Sequence, residues 1–240
     1  MTATLYAMDN SNSAPPSAAG KVLDCVEVTT ASPPRYAVIW LHGLGADGHD
    51  FEPVVPYLGL PANTPVRFVF PHAPMRPVTI NAGAVMRAWY DITELSTSKG
   101  QDEAGIGHSA AKVRQLIERE EERGIAARNI VLAGFSQGGA MALHVGLRFP
   151  RTLAGIMALS AYLLFPERLE QECSQANRET PVFMGHGSQD PMLPLMLGRE
   201  AKNRLEALSW PVEWHTYPIP HAVSPEEITD IGRWLQSRFA

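Results

Sequence analysis

Short runs of uninterrupted apolar residues constrain this chain more than any other feature. They are Tyr36–Leu41, Ile130–Ala133, Ile156–Leu159 and Val182–Met184. A strand with one wet face alternates apolar and polar side chains. A strand with no polar residue must be covered on both faces, as in a parallel sheet packed between helices. Val22–Thr29 and Val212–Tyr217 are mixed in character and read as further strands, the first at an edge. Between the runs lie helical patterns. Ile106, Ala110, Val113 and Ile117 share one face, and Gly124 stops that run. At the C-terminus Ser224, Pro225 and Glu227 form a Ser-x-x-Glu start to a helix whose apolar face is Ile228, Ile231, Leu235 and Phe239. Strands alternating with helices predict an α/β fold with a mainly parallel central sheet and helices on both faces.

The 240 residues fit one single-core domain, read here as residues 21–240. Residues 1–20 are rich in Ala, Ser, Asn and Pro, with no Lys or Arg and no continuous apolar stretch. They read as a disordered tail rather than a secretory signal. The formal charge of −5 and the absence of a basic cluster argue against nucleic acid as a partner. No stretch approaches the roughly 18 apolar residues of a membrane span, so stable membrane insertion is not expected. Cys25 and Cys173 are too few for a disulfide framework and suit a reducing compartment; a cytoplasmic location is the default reading. The stretch from Pro71 to about Gly105 breaks the rhythm. It is rich in Pro, Gly and polar residues around a small apolar patch at Trp89, and it reads as a binding loop or lid.

Gly134-Phe135-Ser136-Gln137-Gly138 matches the G-x-S-x-G elbow. It sits directly after the Ile130–Ala133 strand and before a helical stretch at 139–148, the context that motif requires. Such a turn crowds its own backbone, so the residues two before and two after the serine must be small. The motif alone is weak, arising by chance in roughly one chain of this length in twelve, so the partner residues decide. A serine hydroxyl needs a base, and the base an orienting carboxylate, in the chain order Ser, then Asp or Glu, then His. Beyond the adjacent helix the histidines are His186, His215 and His221. His215 lies inside a strand and His186 precedes the acidic candidate of its own loop. His221 lies in a Pro-flanked loop between the last strand and the last helix, and is the expected base. Asp190, in the loop at the C-terminal end of the Val182–Met184 strand, is the expected orienting acid; its bland alternative is a turn-initiating Asp-Pro. The expected oxyanion donors are the backbone N–H groups of Gln137 and of Leu44, the latter in the loop after the Tyr36–Leu41 strand.

Three competing readings are open to the same residues. Gly43-Leu44-Gly45-Ala46-Asp47-Gly48 fits the G-x-G-x-x-G dinucleotide fingerprint, but the next strand, Val66–Phe70, ends in Pro71-His72-Ala73 with no carboxylate for a ribose. The eight histidines show no metal-ligand spacing, and no metal or other cofactor is expected. A binding module with a dead site is the third reading, against which the complete Ser–Asp–His set stands.

The chain resembles the acyl-protein thioesterase and carboxylesterase family of small α/β-hydrolases. The resemblance runs from about residue 35 to the end. It rests on Leu41–Gly48, Pro71–Pro74, Arg76–Asn81, Met86–Ile92, Gly134–Ala140, His186–Asp190 and Tyr217–His221. It implies a cofactor-free serine esterase acting on a small-molecule or lipid-acyl ester or an acylated protein, with Trp89 and its loop on the acyl-binding surface near Leu44. It also implies weak homodimers formed near the active site. Two departures stand out: the longer N-terminal tail, and Ser160–Phe165, where relatives often have a Gly and a Pro. Tyr162, Leu163, Met192 and Leu193 are candidates for the pocket wall or for plain packing.

Overall fold

The computed structural model describes residues 22–93 and 101–239; the tail reading for residues 1–20 lies outside them. In chain order the strands and helices are β1 (Cys25–Thr29), β2 (Tyr36–Leu41), β3 (Val66–Pro71), β4 (Met75–Val78), β5 (Ala84–Arg87), α1 (Glu103–Glu122), β6 (Ile130–Phe135), α2 (Gln137–Gly146), β7 (Gly155–Leu159), α3 (Leu169–Glu172), β8 (Val182–Gly187), α4 (Leu195–Ala207), β9 (Val212–Tyr217) and α5 (Pro225–Arg238). Seven strands form one sheet in the order β1-β3-β2-β6-β7-β8-β9. Only β1 runs antiparallel, against β3; every other pair is parallel. The sheet is thus mainly parallel, with its mixed-character first strand at an edge as the sequence implied.

Alternation along the apolar strands divides the core in two. Ala37, Ile39 and Leu41 face the cluster filled by α1, α2 and α4, where Ile106, Val113, Leu143 and Leu205 are buried. Val38 and Trp40 face the other cluster, with Phe68, Phe70 and the Ile231, Trp234 and Leu235 side chains of α5. Helices on both faces explain why these strands carry no polar residue. Both thiols are free and half-buried.

Two local expectations need correction. The Pro71–Gly105 stretch is not irregular throughout: β4 and β5 pair as an antiparallel hairpin, and α1 begins at Glu103. Both hairpin strands are four residues long and half exposed, and β4 contains Pro77, so no apolar alternation announced them. Residues 94–100 lie outside the described part. The second correction concerns the capping box of α5. Ser224 accepts from Glu227 N–H as expected, at 3.1 Å, but the return bond from Ser224 N–H to the buried Glu227 carboxyl falls short of full hydrogen-bond geometry.

Candidate active site

Ser136 occupies a left-handed backbone conformation, φ 54° and ψ −120°, between the end of β6 and the start of α2. A non-glycine residue there costs about 1–3 kcal/mol and persists only where its surroundings hold it. Here the Ser136 N–H donates to Leu159 O at 2.8 Å, tying the turn to β7. The two glycines of the elbow are required by space. A Cβ on Gly134 would lie 2.2 Å from Gly138 O, and one on Gly138 would lie 2.3 Å from Leu41 O. The tight turn also leaves the N–H of Gln137, at the first turn of α2, without a helical acceptor.

The loops at the C-terminal ends of β8 and β9 bring the other two expected residues to Ser136. His221 Nε2 lies 3.0 Å from Ser136 Oγ, and His221 Nδ1 lies 2.6 Å from Asp190 Oδ2. The other Asp190 oxygen accepts from Met192 N–H and Leu193 N–H at 2.9 and 2.8 Å, so both carboxylate oxygens are engaged. His186, set aside on sequence, lies under the same loop and contacts Leu193 O through Nε2 at 2.9 Å. Burial holds its pKa below the ordinary histidine range, so the neutral ring donates that bond and braces the 190–193 turn. The Phe135 ring packs 4.7 Å from the His221 ring, supporting it from the side of β6. His215 lies in β9 and contacts Glu213, as a strand residue. In this geometry the serine proton has an acceptor, and the resulting imidazolium has a carboxylate on its far side.

The Leu41–Gly48 loop crosses in front of the elbow. A Cβ on Gly43 would touch the Phe135 ring at 3.3 Å and Ser136 Cβ at 3.5 Å. Gly45 has φ 79° and donates its N–H to Arg87 O at 2.9 Å, which ties the loop to β5. The glycines therefore serve close approach to the serine. After them comes a proline-containing 3₁₀ turn, Glu52–Tyr57, rather than the helix that a dinucleotide fingerprint opens. His42 is buried, donates from Nδ1 to Gly43 O at 2.7 Å and accepts Ala73 N–H on Nε2 at 3.0 Å. Burial lowers its pKa to about 4, so it works as a neutral brace. The N–H groups of Leu44 and Gln137 border the cleft, and neither meets an acceptor among the described residues.

A cavity of about 330 Å³ opens above Ser136 and is mostly apolar. Leu44, Gln137, Tyr162 and Met192 line it, as does Leu193. Two sequence-predicted pocket residues do not. Trp89 is wholly buried; its backbone N–H donates to Gln137 Oε1 at 2.8 Å and its indole N–H to His42 O at 2.9 Å. It pins the elbow to the oxyanion-side loop, so its place in the resemblance is a packing position. Leu163 turns away from the cleft toward Pro166, Leu197 and Ala201, because neighbouring residues of the loop after β7 point to opposite sides. Sequence reading missed Asp50, Ile80, Asn81, Ile92 and Phe135, all on the cavity wall. Ile80 and Asn81 sit in a block that carried the resemblance, which was the available signal; Asp50 had none. The Gln137 side chain was also missed: Nε2 donates to Tyr90 O at 2.8 Å, so one amide satisfies both backbone groups of the Trp89–Tyr90 segment. The Tyr90 and Tyr162 hydroxyls meet at 2.7 Å beside the cavity. Ser160, at the start of the Ser160–Phe165 stretch, has φ 44° and donates its N–H to Gly185 O at 2.8 Å. Among the described residues, no group of three or more His, Cys, Asp or Glu side chains is placed to hold a metal ion, and no helix is long and apolar enough to cross a membrane.

The sequence profile of the phospholipase/carboxylesterase family matches residues 24–238. Acyl-protein thioesterase 1 of Neurospora crassa is 40% identical over 211 residues, covering 84% of this chain and 86% of that protein. Acyl-protein thioesterase 1 of Gibberella zeae is 37% identical over 218 residues, covering 87% and 93%. Among solved structures, Arabidopsis thaliana SOBER1 superposes with a TM-score of 0.81 at 31% identity, over 86% of this chain and all of that one. Zea mays acyl-protein thioesterase 2 gives 0.81 at 27% identity, over 90% and 99%.

Proposed function

The chain belongs to the phospholipase/carboxylesterase family of α/β-hydrolases, and on that premise we propose that it cleaves carboxylic esters and acyl thioesters through an acyl-serine intermediate. One observation carries the reading: His221 bridges Ser136 Oγ at 3.0 Å and Asp190 Oδ2 at 2.6 Å.

In the proposed cycle His221 Nε2 takes the Ser136 proton as Oγ attacks the acyl carbon. Asp190 keeps the Nδ1 proton on the far side of the ring and stabilises the imidazolium, remaining ionised itself. The N–H groups of Leu44 and Gln137, free of other acceptors, receive the oxyanion at the positive end of α2. The alcohol or thiol leaves with the proton from Nε2, and water repeats the sequence to release the acid. The apolar walls at Tyr162 and Leu193 suit an acyl chain. Lipid-acyl esters and acylated proteins are therefore the proposed substrates, the second in line with the names of the two fungal relatives.

Hydrolysis of p-nitrophenyl esters from acetate to palmitate by the wild type and Ser136→Ala tests the assignment. The expected loss is about 10⁶ in turnover, the scale of triad removal elsewhere. Ester turnover that survives the substitution removes Ser136 as the nucleophile.

A further inference from the structure

We propose that Asp50 makes the enzyme selective for esters and thioesters whose leaving group carries a positive charge. The inference rests on the hydrolase reading above and names the substrate class within it. Asp50 is the only acidic side chain on the wall of the active-site cavity among the described residues. Its carboxylate meets no hydrogen-bond donor and no cation there, although its backbone N–H donates to Asp47 O at 3.1 Å. It is not a helix cap either, since the 3₁₀ turn that follows begins without a side-chain bond. A structural role therefore leaves it unexplained.

The character of the cavity wall decides which part of the substrate Asp50 faces. Ser136 ends β6, which lies between β2 on one side and β7 and β8 on the other. The loops after β7 and β8 supply Tyr162, Met192 and Leu193, and Leu44, Ile80 and Ile92 add to the same apolar wall for an acyl chain. Asp50 comes from the loop after β2 and stands exposed at the cavity rim; an acyl chain takes the apolar wall, which leaves the charged rim to face the group departing from the acyl carbon. Partial burial and the nearby Asp47 carboxylate both push the Asp50 pKa above its ordinary value. With Asp47 close behind it, the Asp50 charge is relieved by a cation, and charge of one sign beside an apolar-walled cleft concentrates ligands of the other. Asp47 is already stabilised by the His49 N–H at 2.8 Å; the exposed Asp50 carboxylate has no partner from the described residues and is open to one the substrate brings.

Two matched pairs with the same acyl chain test this. One is a choline ester against its uncharged isostere, the 3,3-dimethylbutyl ester. The other is an acyl-cysteine peptide flanked by Lys against one flanked by Gln. At low ionic strength the wild type is expected to favour the cationic member of at least one pair about five- to tenfold in kcat/KM, as for one partly screened charge. That ratio should fall to near one in Asp50→Asn, drop below one in Asp50→Lys, and shrink with added salt in the wild type only. Preference within the choline pair identifies a small cationic alcohol as the source, and preference within the peptide pair a basic polypeptide. Thermal unfolding establishes that each variant folds, with Asp50→Ser as the alternative if the amide does not. Normal turnover with ratios near one, or a ratio that survives Asp50→Asn, overturns the inference alone. Absence of ester turnover by the wild type overturns the hydrolase reading and this inference with it.

Discussion

Replacing Glu227 with glutamine is expected to shift stability progressively in favour of the variant as pH rises from 5 to 8. Glu227 stands at the start of α5 with 1% of its surface exposed, and neither carboxyl oxygen makes a full hydrogen bond, the Ser224 N–H lying only near enough to favour the charged form. It presses on β8, where a Cβ on Gly185 would lie 2.3 Å from its Oε1. Burial is the main cause that lifts its pKa from 4.5 to about 8; the Ser224 N–H opposes this and the Asp230 carboxylate adds to it. Tyr217 offers no help, because its hydroxyl already donates to Asp230 at 3.0 Å. The folded protein thus keeps a proton that the unfolded chain releases above pH 4.5. Where the unfolded state binds fewer protons, stability falls as pH rises, here from about 4.5 up to the folded value near 8. At about 1.4 kcal/mol per pH unit, most of that loss, roughly 3–4 kcal/mol, accumulates between pH 5 and 8. Glutamine has nearly the same shape and does not ionise. Its own unmet amide lowers stability equally at every pH, so the readout is the slope. Urea unfolding of both proteins at several pH values should give a stability difference that grows by about 3–4 kcal/mol across this window, or roughly 10 °C in melting temperature for a chain of this size. Contributions from every other titrating group are common to both proteins and cancel. A difference that stays flat with pH would refute the reasoning, since it would mean that Glu227 ionises in the folded state as easily as in water.

The other predictions concern the elbow. Gly138→Ala places a methyl group 2.3 Å from Leu41 O, a backbone atom that cannot give way; expression of folded protein should drop sharply, read by yield and by loss of the cooperative melt. Gln137→Ala keeps the backbone N–H proposed for the oxyanion but orphans Trp89 N–H and Tyr90 O. About 2–4 kcal/mol of stability should be lost, and a melting temperature within a degree or two of wild type would show that these bonds carry little.

Much of the site was legible in the residues because its chemistry is local or ordered along the chain. The elbow needs small residues at 134 and 138 wherever it occurs, so Gly134-Phe135-Ser136-Gln137-Gly138 after an apolar strand reads the same before and after folding. His221 and Asp190 were reachable by elimination, since strand ends of a parallel sheet collect at one edge and few histidines lie there. The pocket was less legible. Trp89 sits in a block that resembles relatives, but whether an aromatic ring faces a cavity or a neighbouring loop depends on contacts made with residues almost fifty positions away. Tyr162 and Leu163 are adjacent and equally apolar, yet one lines the cleft and the other does not.

The sequence by itself determined the alternation of doubly covered strands with amphipathic helices, the strained turn at Ser136, and the chain order of the three groups that meet there. These follow from apolar periodicity and from sterics within a few residues. Only the tertiary structure decided that β6 lies between β2 and β7, and hence that Asp50 and Tyr162 reach the cavity from opposite flanks. It alone decided that the Glu227 carboxyl is sealed against β8. Strand order and side-chain burial are set by packing between segments far apart in the chain, and no local pattern of residues encodes which distant surface a side chain will meet.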